Sequence, residues 1–107
     1  MNHPASYFII SPGPRPPYHL VAEHLWGGAD FDSDGNSETP TDTNWTELTV
    51  QLRPDGLERV DIDSVFEDPL VLKIASGSPA LAKSVAEFLA SSTGGKLDTN
   101  WKGSGNL

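Results

Sequence analysis

Cysteine is absent from this chain of 107 residues, and its absence excludes several chemistries. Without a thiol there is no disulfide, no thiolate nucleophile and no zinc site with cysteine ligands. Long apolar runs are missing too, since no stretch approaches the roughly 18 residues that a membrane-spanning helix needs. The first residues contain neither the basic segment nor the apolar segment of a secretion signal. These absences predict a soluble, cytoplasmic protein that does not enter a membrane.

Basic residues are scarce: Lys and Arg number 7 against 15 Asp and Glu, which gives a net charge of −8. Twelve of the acids lie between residues 30 and 68, where Arg53 and Arg59 are the only bases, so this segment carries −10. A surface of that sign repels nucleic-acid phosphates and attracts cationic proteins. The charge pattern therefore predicts no nucleic-acid binding. It leaves two interpretations open, solubility alone or a basic protein partner.

Alternation of apolar and polar residues predicts a chain rich in β-strands. The apolar run SYFII at residues 6–10 indicates a buried first strand. Residues 45–65 alternate on both sides of a Pro-Asp-Gly turn at 54–56, which predicts a hairpin with one apolar and one polar face. The run PLVLKIAS at residues 69–76 predicts a third strand of this kind. Residues 97–101 fit a short last strand.

One helix is clearly marked, at residues about 79–92. Ser78 is a good N-cap, Pro79 suits the first helical position, and Gly94 follows the last turn. Residues 18–26, YHLVAEHLW, fit either a strand or a helix. The strand interpretation is preferred, with these residues paired to residues 6–10.

The predicted fold class is therefore α+β, with a single antiparallel sheet of about five strands and one main helix packed on one face. Residues 1–107 are expected to form one small domain. It would carry a long, polar, acidic loop at about 27–44 and a frayed tail at about 102–107.

The acidic loop contains the stretch DFDSDGNSETPTD, which resembles the start of an EF-hand calcium loop. Five oxygen-bearing residues stand at the spacing of calcium ligands: Asp30, Asp32, Asp34, Asn36 and Glu38. The twelfth position is Thr41, which cannot chelate calcium through two carboxylate oxygens, and Pro40 is incompatible with the exiting helix. A solvated acidic loop is therefore the preferred interpretation, and a weak calcium site at those five residues is the alternative.

No catalytic residues are predicted. His19 and His24 are five residues apart, so neither a strand nor a helix places them on one face as a zinc site requires. No nucleophile motif and no cofactor motif is present in the sequence.

The leading functional hypothesis is a non-enzymatic interaction module, for example an acidic inhibitor or an immunity or antitoxin-type protein that binds a basic partner protein. The predicted binding residues are the acids of the hairpin: Glu47, Glu58, Asp61 and Asp63. The alternatives are a structural homo-oligomer, of which a homodimer is the simplest form, and a small-ligand or calcium-binding domain that uses the loop at 30–38.

Overall fold

A computed structural model describes residues 5–54 and 57–99. Six strands and two helices occur there, in the order β1 (Ala5–Ile10), α1 (Tyr18–Trp26), β2 (Phe31–Gly35), β3 (Leu48–Leu52), β4 (Arg59–Glu67), β5 (Leu70–Ser76), α2 (Pro79–Thr93) and β6 (Lys96–Asp98). The predicted turn residues Asp55 and Gly56, Trp101 of the predicted last strand and the predicted tail lie outside the described residues. No helix of the described part is long and apolar enough to cross a membrane.

All six strands form one antiparallel sheet with the order β2-β3-β4-β5-β1-β6. The strands from β2 to β5 follow one another both along the chain and across the sheet. The first strand of the chain, β1, lies between β5 and β6. The predicted α+β fold with a single antiparallel sheet and a helix packed against it is confirmed, and the hairpin of residues 45–65 appears as β3 and β4.

The predicted helix at 79–92 is α2, and its ends follow the sequence signals. The Ser78 hydroxyl accepts the Leu81 N–H at 3.3 Å, and Pro79 is the first helical residue. Gly94 adopts the left-handed conformation with φ of 76°, and its N–H bonds to the Ala90 carbonyl. The helix packs across β1 and β5 and buries an apolar stripe formed by Ala82, Val85, Ala86 and Leu89.

The preferred strand interpretation of residues 18–26 is wrong, because this segment is helix α1. Both edges of β1 are already occupied, one by β5 and the other by β6, so no position beside β1 remains for another strand. The helix instead lies next to α2 and β3, where Val21 and Ala22 are buried in the core. Gly27, with φ of 62°, ends it.

The segment predicted as one loop, 27–44, contains strand β2, which pairs with β3 from Phe31↔Leu52 to Gly35↔Leu48. Aspartate, serine and glycine have low strand propensity, so the local sequence did not predict it. Hydrogen bonds to the backbone of β3 override that propensity. Asn36 continues the pairing with its side chain, whose oxygen accepts the N–H groups of Thr46 and Glu47 at 2.8 and 3.0 Å.

The proline-rich connection between β1 and α1 is held to the core by Arg15 and Trp45. Trp45 is 1% exposed, and its indole N–H donates to the Pro16 carbonyl at 2.7 Å. Arg15 is 8% exposed; its Nε donates to the Trp45 carbonyl at 2.8 Å and its Nη1 to the Gly13 carbonyl at 2.9 Å. These bonds satisfy carbonyl groups that an irregular segment would otherwise leave without partners.

Candidate interaction face

The sheet has one face covered by both helices and one face that the helices leave open. In β3 and in the first half of β4 the residues alternate, so that Val50, Val60 and Ile62 are buried while their neighbours face the other way. The register then lines up polar residues from three strands on the open side. We call this surface the acidic face, and it consists of Asp32, Asp34, Thr49, Gln51, Arg59, Asp61 and Asp63.

Hydrogen bonds order the middle of the acidic face. Asp61 lies between Thr49, whose hydroxyl donates to the carboxylate at 2.6 Å, and Arg59, whose Nη2 is 3.0 Å from the same oxygen. The hydrogen bond with Asp61 raises the pKa of the Arg59 guanidinium above its ordinary value. Asp61 is therefore engaged within the sheet and is less available to a partner than its position alone would suggest.

The outer acids differ in how far their charge is offset. Asp32 lies 3.6 Å from Arg53 Nε in an ion pair whose two side chains are about half exposed. Asp34 accepts the N–H of Gly35 at 2.9 Å. Within the described part of the chain, neither Asp34 nor Asp63 forms an ion pair. Asp34 thus carries the least compensated negative charge of the acidic face, because the register places Asp63 opposite Lys73 of β5.

A shallow depression of about 220 Å³ lies on the acidic face, lined by Asp32, Ser33, Asp34, Thr49, Gln51 and Arg59. Pockets that enclose a small ligand usually measure about 300–1,000 Å³ and have mostly apolar walls. This depression is smaller than that range and its lining is largely polar.

The four predicted partner-binding residues do not all share this face. Asp61 and Asp63 belong to it. Glu47 immediately precedes β3, and the register extended by one residue places it next to Asp63. Glu58, by contrast, accepts the indole N–H of Trp26 at 2.8 Å, which ties its carboxylate to the end of α1.

The five residues predicted as calcium ligands are not gathered around a point. Asp32 and Asp34 belong to β2, where alternate residues are about 6.6 Å apart, whereas an EF-hand loop curls its ligands around the ion. The side chain of Asn36 is bonded to the backbone at residues 46 and 47, and the N–H of Glu38 bonds to Asp42. Over residues 5–54 and 57–99, no group of three or more His, Asp or Glu is placed to hold a metal ion.

The shared face of Asp32, Asp34 and Asp61 was not predicted from the sequence. The pairs Asp34↔Thr49 and Thr49↔Asp61 connect the loop acids to the hairpin acids across three strands. A signal was present, because aspartates at 30, 32 and 34 recur with the period of two that a strand imposes.

The two histidines among the described residues, His19 and His24, lie on α1. His24 is on α1, where its Nε2 is 2.9 Å from the Ser84 hydroxyl and its ring stacks on Phe88 with centroids 4.5 Å apart. His19 contacts the ring of Tyr18 edge-on. His24 therefore contributes to the contact between the two helices, and neither histidine contacts a residue of the acidic face in these interactions.

Comparison of the chain with protein-family models, curated proteins and solved structures found no match.

Proposed function

We propose that this protein is a non-enzymatic interaction module of the cytoplasm that binds a basic partner protein through the acidic face. The observation that carries the proposal is the alignment, on one helix-free face, of acids from β2 and β4 that lie some 30 residues apart along the chain. An acidic inhibitor of the immunity or antitoxin type is a specific form of this function.

Electrostatics favours a protein partner with a positive surface. Clustered carboxylates on an ordered sheet attract cations over several ångströms. This attraction raises the rate of association more than it raises the final affinity. Nucleic acid would be repelled by the same field. The open face of a sheet also offers a broad, flat surface of the kind that protein interfaces use, whereas the depression on it is too small to enclose a ligand.

Charge reversal tests the proposal. The partner is first isolated by affinity capture with the wild-type chain, and its association rate is then measured at low salt. Asp34→Lys combined with Asp63→Lys should slow association by about tenfold or more, because steering depends on the local field. The matched control, Glu23→Lys with Glu87→Lys, makes the same change of charge at exposed positions on the two helices.

The comparison of the two double variants decides the proposal. A rate that falls for the acidic-face variant and changes little for the helix variant supports it. An unchanged rate for the acidic-face variant, or an equal loss for both variants, contradicts it. The association rate of the acidic-face variant should also depend much less on salt, because the charges that salt screens in the wild type are no longer present.

The calcium alternative is tested separately by titration. If the acids of β2 bind the ion, millimolar calcium should raise the midpoint of thermal unfolding and shift the amide NMR signals of residues 30–38. The proposed module predicts that neither quantity changes, because the carboxylates of Asp32 and Asp34 are spread along a strand.

A further inference from the structure

The outer edge of β2 is a second feature of the same surface. Hydrogen bonds beyond the two ends of the strand establish which residues face β3: the Arg53 N–H donates to the Asp30 carbonyl at 3.1 Å, and the Asn36 N–H donates to the Glu47 carbonyl at 3.2 Å. Since hydrogen-bonded positions alternate along an antiparallel pair, the even-numbered residues of β2 bond to β3. The backbone groups of Phe31, Ser33 and Gly35 therefore point outward.

Most of these outward groups have no partner within the described part of the chain. β2 is the terminal strand of the sheet, and no described backbone segment bonds to its outer side. The N–H of Gly35 is taken by the Asp34 carboxylate. The edge consequently presents the N–H and C=O of Phe31 and of Ser33, together with the C=O of Gly35, in the geometry that another strand requires.

A depression lies on each side of this edge. On the open side is the acidic one, which includes Asp32 and Asp34. On the helix side is one of about 200 Å³ whose lining includes Tyr18, Ser37 and Leu48. Alternate side chains of a strand point to opposite faces of its sheet, so a strand added here would direct one set toward the aspartates and the other toward Tyr18 and Leu48.

Charge distinguishes between two occupants of the edge. If β2 paired antiparallel with β2 of a second copy, the aspartates of both copies would lie opposite one another on one face, and like charges so placed are destabilising. A strand with Lys or Arg at alternate positions would place cations beside Asp32 and Asp34. The edge thus favours a basic strand over a second copy of the chain.

We propose that an extended segment of a basic partner adds antiparallel to β2 as a seventh strand, with basic residues over the acidic face and apolar residues between them. This inference rests on the proposed function and describes how the basic partner docks. The main-chain bonds to Phe31, Ser33 and Gly35 would supply affinity, and the two depressions would select the alternating side chains.

The probe is the capped heptapeptide Lys-Val-Lys-Val-Lys-Val-Lys, titrated into the full chain at low salt. In an antiparallel addition the valines lie opposite the outward residues of β2 and form the hydrogen bonds, while the lysine N–H groups point away. N-methylation of the three valines should therefore weaken binding by at least about tenfold, the effect of losing one or two net hydrogen bonds. The matched peptide with three N-methylated lysines should bind like the parent.

A variant of the protein tests the same edge. In Ser33→Pro the outward N–H is removed, but no bond to β3 is lost, so the fold is expected to persist, as prolines are accepted on sheet edges. Ser33→Pro should no longer bind the peptide, whereas Ser33→Ala should bind it as the wild type does. In the wild-type complex the amides of Phe31 and Ser33 should exchange with solvent more slowly.

Edge docking would be overturned if the parent peptide did not bind or if the two methylated peptides bound equally well. It would also be overturned if only the peptide with N-methylated lysines bound more weakly than the parent. Self-association that Ser33→Pro abolishes would assign the edge to a second copy and would overturn it as well. The proposed function has its own test in the Asp34 and Asp63 variant. A partner that depends on those charges but is unaffected by Ser33→Pro would leave the function standing and refute the docking mode.

Discussion

The two faces of the sheet are built from the same strands but have opposite chemistry. On the covered face, residues such as Val50, Val60 and Ile62 are no more than 1% exposed and pack beneath the helices. On the open face of the same strands, their neighbours Thr49 and Asp61 form polar contacts at the surface. The apolar residues that stabilise the fold therefore lie on the covered face. The open side of β2, β3 and β4 is not needed for this burial and can carry charged residues.

The largest predicted effect separates two adjacent residues of β4. Ile62→Ala removes a side chain that is 1% exposed and should lower the free energy of unfolding by about 2–4 kcal/mol. Asp63→Ala, one residue later on the open face, should change it by no more than about 0.5 kcal/mol. Urea unfolding measures both free energies, and the comparison holds when the m-values of the two variants are equal. Similar losses for the two variants would remove the distinction between the faces.

A second effect concerns the proline-rich connection between β1 and α1, which Arg15 holds to the core. Arg15→Met retains much of the side-chain volume but leaves the Trp45 carbonyl without the bond it accepts at 2.8 Å, so we expect a loss of about 1–3 kcal/mol. Arg53→Met, at an exposed arginine, is the control and should cost less than about 1 kcal/mol. Thermal unfolding of both variants would show whether burial separates the two arginines, and equal losses would contradict it.

A smaller effect is predicted on the open face itself. The hydroxyl of Thr49 and the carboxylate of Asp61 should be coupled by about 0.5–1 kcal/mol in a double-mutant cycle that uses Thr49→Val and Asp61→Ala. The stability of the four proteins in chemical denaturation gives this coupling. A coupling of zero would mean that the contact between Thr49 and Asp61 does not stabilise the fold.

The smallest effect depends on pH and concerns Asp42, in the connection between β2 and β3. Its carboxylate accepts the N–H groups of Glu38 and Asn44, and these bonds lower the pKa of Asp42 below its ordinary value of 3.8. A carboxyl with a lowered folded-state pKa stabilises the protein above its unfolded pKa and loses that contribution as pH falls through the folded value. The stability advantage over Asp42→Asn should therefore shrink below about pH 4. An advantage that does not vary with pH would exclude this role.

Local signals predicted the elements whose sequence agrees with their final environment. The caps of α2 and the alternation in β3 and β4 are of this type, since a capping serine, a terminal glycine and a period of two act within a few residues. The helix α1 was not predicted correctly, because YHLVAEHLW suits either periodicity and the expected pairing with residues 6–10 is excluded only by β5 and β6, which occupy both edges of β1.

The acidic face was predicted only in part. The sequence identified acids in two separate segments and assigned them to two different hypotheses, calcium for Asp32 and Asp34 and a partner for Asp61 and Asp63. The structure aligns the two groups because β2 pairs with β3 and β3 with β4. Glu58 is the exception among the predicted partner-binding residues, because its carboxylate accepts a hydrogen bond from Trp26 at the end of α1.

By itself, the sequence determined the class of the fold, the concentration of negative charge between residues 30 and 68, and the exclusion of thiol chemistry. These properties depend on composition and on contacts near in sequence. Only the tertiary structure decided that a stretch as polar as FDSDG becomes an edge strand and that its aspartates join those of the hairpin. Such pairing depends on backbone hydrogen bonds between segments distant along the chain, to which side-chain propensity contributes little.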